Sequence, residues 1–141
     1  MLRAITACAV AALLALSLVG CQTAASASLK VGDCINYEPS DDGHNRVLVD
    51  CAQPHAQEVF YAFELPAGGY PGIMTIGDAQ QDECAPKFTS YVGVDWEHSR
   101  YTINYGGPTE QTWAKGDRQV VCFLEDGSGG QLTGSAKGTA Q

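Results

Sequence analysis

The stretch Asp50-Cys51-Ala52-Gln53-Pro54-His55-Ala56-Gln57-Glu58-Val59-Phe60-Tyr61-Ala62-Phe63-Glu64-Leu65 brings together a cysteine, a rigid turn, a histidine and a long apolar run. Val59, Tyr61, Phe63 and Leu65 alternate with Phe60, Ala62 and Glu64. That is the two-residue period of a strand with one strongly apolar and one mixed face, and it predicts the central strand of the domain. Pro54 fixes its own φ and moves Gln53 out of the helical region. The chain is therefore expected to turn sharply between a strand ending at Cys51 and one beginning near Glu58, in a hairpin-like entry to the core.

Working outward, a short strand is expected around Cys34, followed by the polar turn cluster Pro39-Ser40-Asp41-Asp42-Gly43. Val47, Val49 and Cys51 alternate with Leu48 and Asp50 as a second strand. After the central strand, Pro66-Ala67-Gly68-Gly69-Tyr70-Pro71-Gly72 excludes regular structure and crosses the surface. A helix follows, with Thr75 and Asp78 in capping-box character and Cys84, Phe88, Tyr91 and Val92 on one face. Gly93 stops it. Tyr101, Ile103 and Tyr105 mark another strand, and Thr109 caps a short helical turn with Glu110 at its positive end and Trp113 within it. In the strand over 118–125, Val120, Cys122 and Leu124 share a face, so Cys122 looks toward the helix bearing Cys84. Beyond Asp126 small residues dominate and Leu132 is the large apolar anchor, so an edge segment and a disordered tail over 136–141 are expected.

The fold class that results is α+β: a small disulfide-stapled antiparallel sheet with one main helix packed on it. The chain has 141 residues, enough for one domain. Residues 1–20 read as a lipoprotein signal peptide, because Arg3 precedes a short apolar run ending in Leu18-Val19-Gly20-Cys21. This has the form of a lipobox, whose cysteine receives a diacylglyceryl group, and two acyl chains suffice for stable anchoring. The alternative is an ordinary signal cleaved after Ala25-Ser26-Ala27. Residues 21–29 then form the lipidated cysteine and a flexible tether that reaches about 15 Å, and the domain runs over 30–135.

Without Arg3 the 8 basic residues become 7 against 16 acidic ones, a net charge of −9. Such a surface argues against nucleic acid and against electrostatic adhesion to anionic lipid, so the membrane is reached through the lipid. With Cys8 in the signal and Cys21 lipidated, Cys34, Cys51, Cys84 and Cys122 remain, which in an exported domain implies two disulfides. Three connectivities exist, and strand geometry favours Cys34 with Cys51 and Cys84 with Cys122. A zinc site joining these cysteines to His55 lacks any C-x-x-C pair and sits in an oxidising compartment, so no metal is expected.

His55 and Glu58, three residues apart after a proline, are the sharpest polar pair. A histidine beside a carboxylate is the raw material of general-base chemistry, but the same groups also satisfy backbone exposed by a turn. No nucleophile motif, second ligand cluster or glycine-rich phosphate loop accompanies them, so no cofactor and no catalytic residue is expected. Trp113, with Tyr70 and Trp96, is either a sugar-stacking platform or the cover of a core edge. Asp117 and Arg118 are expected to pair or solvate, His44 and His98 to be solvated, and Asp41-Asp42 lacks the spaced oxygens of a calcium loop.

Several segments taken in order resemble the septum formation domain family of actinobacterial exported proteins. They are Val31-Gly32-Asp33-Cys34, Cys51 through Pro54-His55 to Glu58-Val59, Tyr70-Pro71-Gly72, Cys84 with Phe88 and Tyr91-Val92-Gly93. Pro108-Thr109, Trp113, Gly116-Asp117-Arg118, Val120, Cys122 and Leu132-Thr133-Gly134-Ser135 complete the set. Residues 95–105 match none of these motifs. The resemblance implies a small α+β domain on a lipoprotein or membrane-anchored chain, associated by name with cell division.

The expectation is thus a non-enzymatic binding or scaffold module on the extracytoplasmic face of the cell membrane, whose partner is an envelope or division protein. The competing class is a cell-wall-active enzyme or carbohydrate-binding domain using His55, Glu58 and nearby aromatics. A solvent-open pocket holding His55 with Glu58 favours the enzyme, and a buried His55 bonded to backbone favours the module. For the anchor, Cys21→Ala is expected to move the protein from the membrane fraction to the medium, or to leave it unprocessed. A mature, membrane-bound variant without lipid would refute the lipobox.

Overall fold

The computed structural model describes residues 28–40 and 43–141. The signal, Cys21, Asp41-Asp42 and the side chain of His44 lie outside that description. Among the described residues, five strands form one sheet: β1 Cys34–Ser40, β2 Gly43–Val49, β3 Gln57–Glu64, β4 Tyr101–Gly106 and β5 Gln119–Asp126. Their order is β2-β1-β3-β5-β4 and every neighbouring pair is antiparallel. The main helix, α1, spans Ile73–Val92, and a four-residue α2 spans Glu110–Trp113. The α+β class with one main helix is the one expected, and β3 is the central strand.

The entry to β3 differs from expectation. β1 lies between β2 and β3, so residues 50–56 cross over the end of β1 and form no hairpin. Asn36 of β1 holds this crossover, donating from Nδ2 to the Pro54 carbonyl (3.0 Å) and accepting the Ala56 N–H (2.9 Å). Pro39 and Ser40, expected in a turn, pair with His44 and Gly43 instead. Proline is tolerated there because β3 pairs with β1 only at Cys34 and Ile35, leaving the far end of β1 without a third strand that needs its N–H.

A bulge interrupts the alternation of β3. Val59 pairs with Phe123 and Tyr61 with Cys122, so Phe60 is an extra residue. The face read as Val59, Tyr61, Phe63 and Leu65 is therefore split. Val59 joins Ile35, Val121 and Phe123 on one side of the sheet, whereas Phe60, with Tyr61 and Phe63 against it, joins the cluster under α1. There Phe60 meets Phe88 edge to face at 5.5 Å. Fully burying side chains such as Phe88 and Leu124 contributes about 1.5–3 kcal/mol each.

Cys84, Phe88, Tyr91 and Val92 are the buried face of α1 together with Ile76, as the spacing predicts. The helix starts two residues before Thr75, however, at a Gly72 cap without any side-chain bond, so the capping box at Thr75 does not form. It ends at Gly93, whose φ of 96° is the left-handed conformation that glycine adopts without strain. In α2 the cap is as expected, with Thr109 and Thr112 bonding reciprocally.

Both chain-terminal boundaries need correction. Leu29, assigned to the tether, is fastened to the sheet: Gln119 Oε1 accepts its N–H (3.0 Å) and Gln119 Nε2 donates to its carbonyl (2.9 Å). Residues 136–141, expected to be disordered, pack on the end of α1. Gly138 N–H donates to Tyr91 O (2.8 Å), Ala140 N–H to Val92 O (2.9 Å), and Ala136 is buried. The last carbonyls of a helix lack partners within it, and this segment supplies them. Ala140 lies against Gly93, where two small residues permit the close approach.

Both expected disulfides are present, with Cα–Cα distances of 5.3 Å for Cys34–Cys51 and 5.8 Å for Cys84–Cys122. They close separations of 17 and 38 residues. In the chain-entropy model this amounts to about 3 and about 4 kcal/mol, comparable to the whole net stability of a small domain. The double variant Cys84→Ser/Cys122→Ser is therefore expected to lose more stability than Cys34→Ser/Cys51→Ser. Urea denaturation of the two purified variants checks the order, and equal losses or the reverse would contradict it.

Candidate functional site

Register places Glu58 directly opposite Cys34, at the point where β1 and β3 meet. The Pro54 turn delivers His55 beside them. Its N–H and C=O bond Leu132 in both directions (2.9 and 2.8 Å), so the edge segment expected around Leu132 pairs here with the crossover. One ligand-type atom from each of Cys34, His55 and Glu58 lies within 4.8 Å of the other two, and all three residues are buried. The sequence pair His55 and Glu58 is thus brought together, but the two side chains bond different partners.

His55 Nδ1 lies 2.8 Å from the Gln53 carbonyl. A carbonyl only accepts, so Nδ1 carries a proton. Nε2 is buried without a hydrogen-bond partner. Glu58 is fully buried and takes three donors: the Tyr91 phenol (2.6 Å) and the Ser135 hydroxyl (2.5 Å) on Oε1, and the Ala136 N–H (2.8 Å) on Oε2. Burial, followed by the hydrogen bond to Glu58 and its charge, pushes the Tyr91 phenol far above the ordinary range, so it stays a donor. A buried carboxylate is costly unless bonded, and here one carboxylate joins β3, the last turn of α1 and the segment after Leu132.

This donor set disfavours both metal and base chemistry. The Cys34 sulfur is spent in a disulfide and offers no thiolate. The Glu58 oxygens already serve three donors, so they are poorly placed to take a proton from a reacting group. On its exposed side Ser135 lines a pocket of about 120 Å³, well below the roughly 300–1,000 Å³ of small-molecule sites.

Ser135 and Tyr91 are the partners that reading the residues for chemistry passed over. Tyr91 was recognisable as an inward helix position, and a buried glutamate after a proline turn signals that donors must exist. Ser135 had only its place in a glycine-containing motif, and Gly134 does take a positive φ of 80°.

The other candidates separate. Trp113 covers a core edge: it is buried, its Nε1 donates to Gly68 O (3.1 Å), Tyr70 meets it edge-on at 5.9 Å, and the Arg118 guanidinium lies 3.6 Å over its ring. Trp96 belongs to a different surface and is half-exposed. Asp117 and Arg118 do not pair through their side chains. Arg118 donates to the carbonyls of Trp113 and Asp117, whereas Asp117 Oδ1 accepts the Gln119 N–H. His98 is exposed, as expected.

The family model described as Septum formation matches residues 31–141. A protein of Mycobacterium tuberculosis (strain ATCC 25618 / H37Rv) that bears the name lipoprotein LppN is 30% identical over 115 residues. Its namesake in Mycobacterium bovis (strain ATCC BAA-935 / AF2122/97) matches equally. The match covers 78% of this chain and 63% of each relative, so the chain spans less than two thirds of their length. No solved structure matches.

Removing one donor from the buried carboxylate tests its structural role. Tyr91→Phe is expected to cost about 1–3 kcal/mol near neutral pH. Because the folded-state pKa of Tyr91 is raised above its ordinary 10.0, this contribution is complete below pH 10.0 and fades as pH rises beyond it. The stability gap between wild type and variant, followed by urea titration, should therefore narrow above that pH. A gap independent of pH, or none at all, would remove Glu58 from this role.

Proposed function

The chain belongs to the Septum formation family, and from that premise we propose that it is a non-enzymatic binding or scaffold module of the cell envelope, tied to septation. The observation that carries the reading is the engagement of the His55 and Glu58 side chains. His55 and Glu58 are fully buried, with His55 bonded to the Gln53 backbone and Glu58 to three donors. An enzyme built on this pair requires it open to substrate.

The lipobox at Cys21 and the lipoprotein name of the mycobacterial relatives support a lipid anchor on the outer face of the cytoplasmic membrane. No described helix is long and apolar enough to cross a membrane. An acidic domain held close to the bilayer steers toward basic partners, and that attraction weakens as salt rises.

The protein expressed with its own leader should release no product from labelled peptidoglycan. It should capture an envelope partner in cross-linked membranes, with capture falling as ionic strength passes about 0.15 M. Turnover that disappears in Glu58→Gln or His55→Ala would replace the module with an enzyme.

A further inference from the structure

β4 is the last strand of the sheet, and no described strand pairs with its outer edge. Gly127 N–H donates to Arg100 O (2.9 Å) in continuation of the β4–β5 register. Ladder bonds to β5 therefore alternate through Arg100, Thr102, Asn104 and Gly106, and the main-chain groups of Tyr101, Ile103 and Tyr105 face away from the sheet. Two of those N–H groups are capped within the strand and its approach: Ser99 Oγ accepts from Tyr101 (3.1 Å) and Asn104 Oδ1 from Tyr105 (2.7 Å). The Ile103 N–H and the outward carbonyls remain. Exposed edges are normally blunted by lysine, proline or inward charge, yet Tyr-Thr-Ile-Asn-Tyr-Gly over Tyr101–Gly106 contains none of these.

Beside this edge runs a groove of about 610 Å³, within the size range of ligand sites. Ala85 of α1, Trp96, Tyr101, Ile103 and Tyr105 give it an apolar lining, and Trp96 is 50% exposed. Glu97 is the one charged residue in the lining. Asp78 and Asp82, both exposed, share the helix face of Gln81 and Ala85 and extend the acidic rim. A helix and an open strand edge flanking an apolar groove is the arrangement that accepts an added strand. The main chain then supplies affinity and every second side chain enters the groove.

We propose that the β4 edge and this groove bind an extended, basic peptide segment of a partner protein, paired through Ile103, with apolar side chains in the groove and lysine or arginine against Glu97 and Asp82. This rests on the reading of the chain as a binding module and names the surface and the chemistry of its partner. A glycan stacked on Trp96 would leave the Ile103 amide unused, whereas a peptide strand pairs with it.

The test takes the protein expressed with its own leader and pans it against a phage-displayed library of linear dodecapeptides. Selected sequences should carry apolar residues at alternate positions, with lysine or arginine at the groove-facing positions nearest Glu97 and Asp82, and binding should slow hydrogen exchange at the Ile103 amide. N-methylation of the peptide at the residues facing β4 should weaken binding about tenfold, the loss of roughly one main-chain hydrogen bond, and methylation at the intervening residues should not. Trp96→Ala and Glu97→Lys, both at exposed positions, should weaken binding without lowering the melting temperature. Indifference to N-methylation, no selected binder that depends on Trp96, displacement by cell-wall glycan fragments, self-association through β4, or occupation of the groove by a peptide copying residues 1–27 would each overturn the proposal. If Trp96→Ala and Glu97→Lys still capture the same envelope proteins as the unaltered chain, the groove is refuted and the module stands.

Discussion

Glu58 is the constraint on which the rest of this small domain depends. A carboxylate with no exposed surface is tolerated only when its oxygens are served by donors, and its three donors come from the helix and from the segment beyond Leu132. Their positions are consequently not free. Tyr91 fixes how the last turn of α1 meets β3, and the Ser135 and Ala136 contacts fix the path of the chain that covers it. The Cys84–Cys122 bond ties the middle of the same helix to β5, so α1 is held to the sheet at two separate points.

That hub gives a histidine and a glutamate that sit close together separate structural partners. Perturbed and buried polar groups concentrate in active sites, but structural networks produce them as well, and the deciding feature is where the lone pairs go. The His55 ring is oriented by a carbonyl of its own turn, and Glu58 accepts from three donors. The apolar groove of the domain lies elsewhere, along β4 and the half-exposed Trp96.

Much of the fold was legible because it is written in periodicities. Cys84, Phe88, Tyr91 and Val92 repeat at helical spacing, and Val120, Cys122 and Leu124 alternate, which together pointed Cys84 at Cys122 before any contact was known. Strand order was not legible, because nothing local in residues 50–56 distinguishes a crossover from a hairpin. The bulge at Phe60 was equally hidden: it depends on the partner strand, and three successive large apolar residues hide the change of face. The C-terminal segment escaped for a different reason. Residues 136–141 carry no amphipathic signal, because they meet the end of α1 through the main chain of Gly138 and Ala140. At the site, the sequence singled out His55 and Glu58 but not the donors of Glu58, since Tyr91 and Ser135 are 33 and 77 residues from it along the chain.

The segment that closes over Glu58 also sets an order of events. Until residues 135 and 136 are available, a chain that has already paired β3 with β1 leaves its buried carboxylate two donors short and the last helix carbonyls open. Loop-closure entropy adds to the delay, because contacts this distant in sequence are costly to form early. A chain without those two contacts would carry an under-bonded buried carboxylate, at a cost of about 1–3 kcal/mol for the unsatisfied group. Completing the packing around the central strand therefore waits on a loop closed over 77 residues, the separation of Ser135 from Glu58.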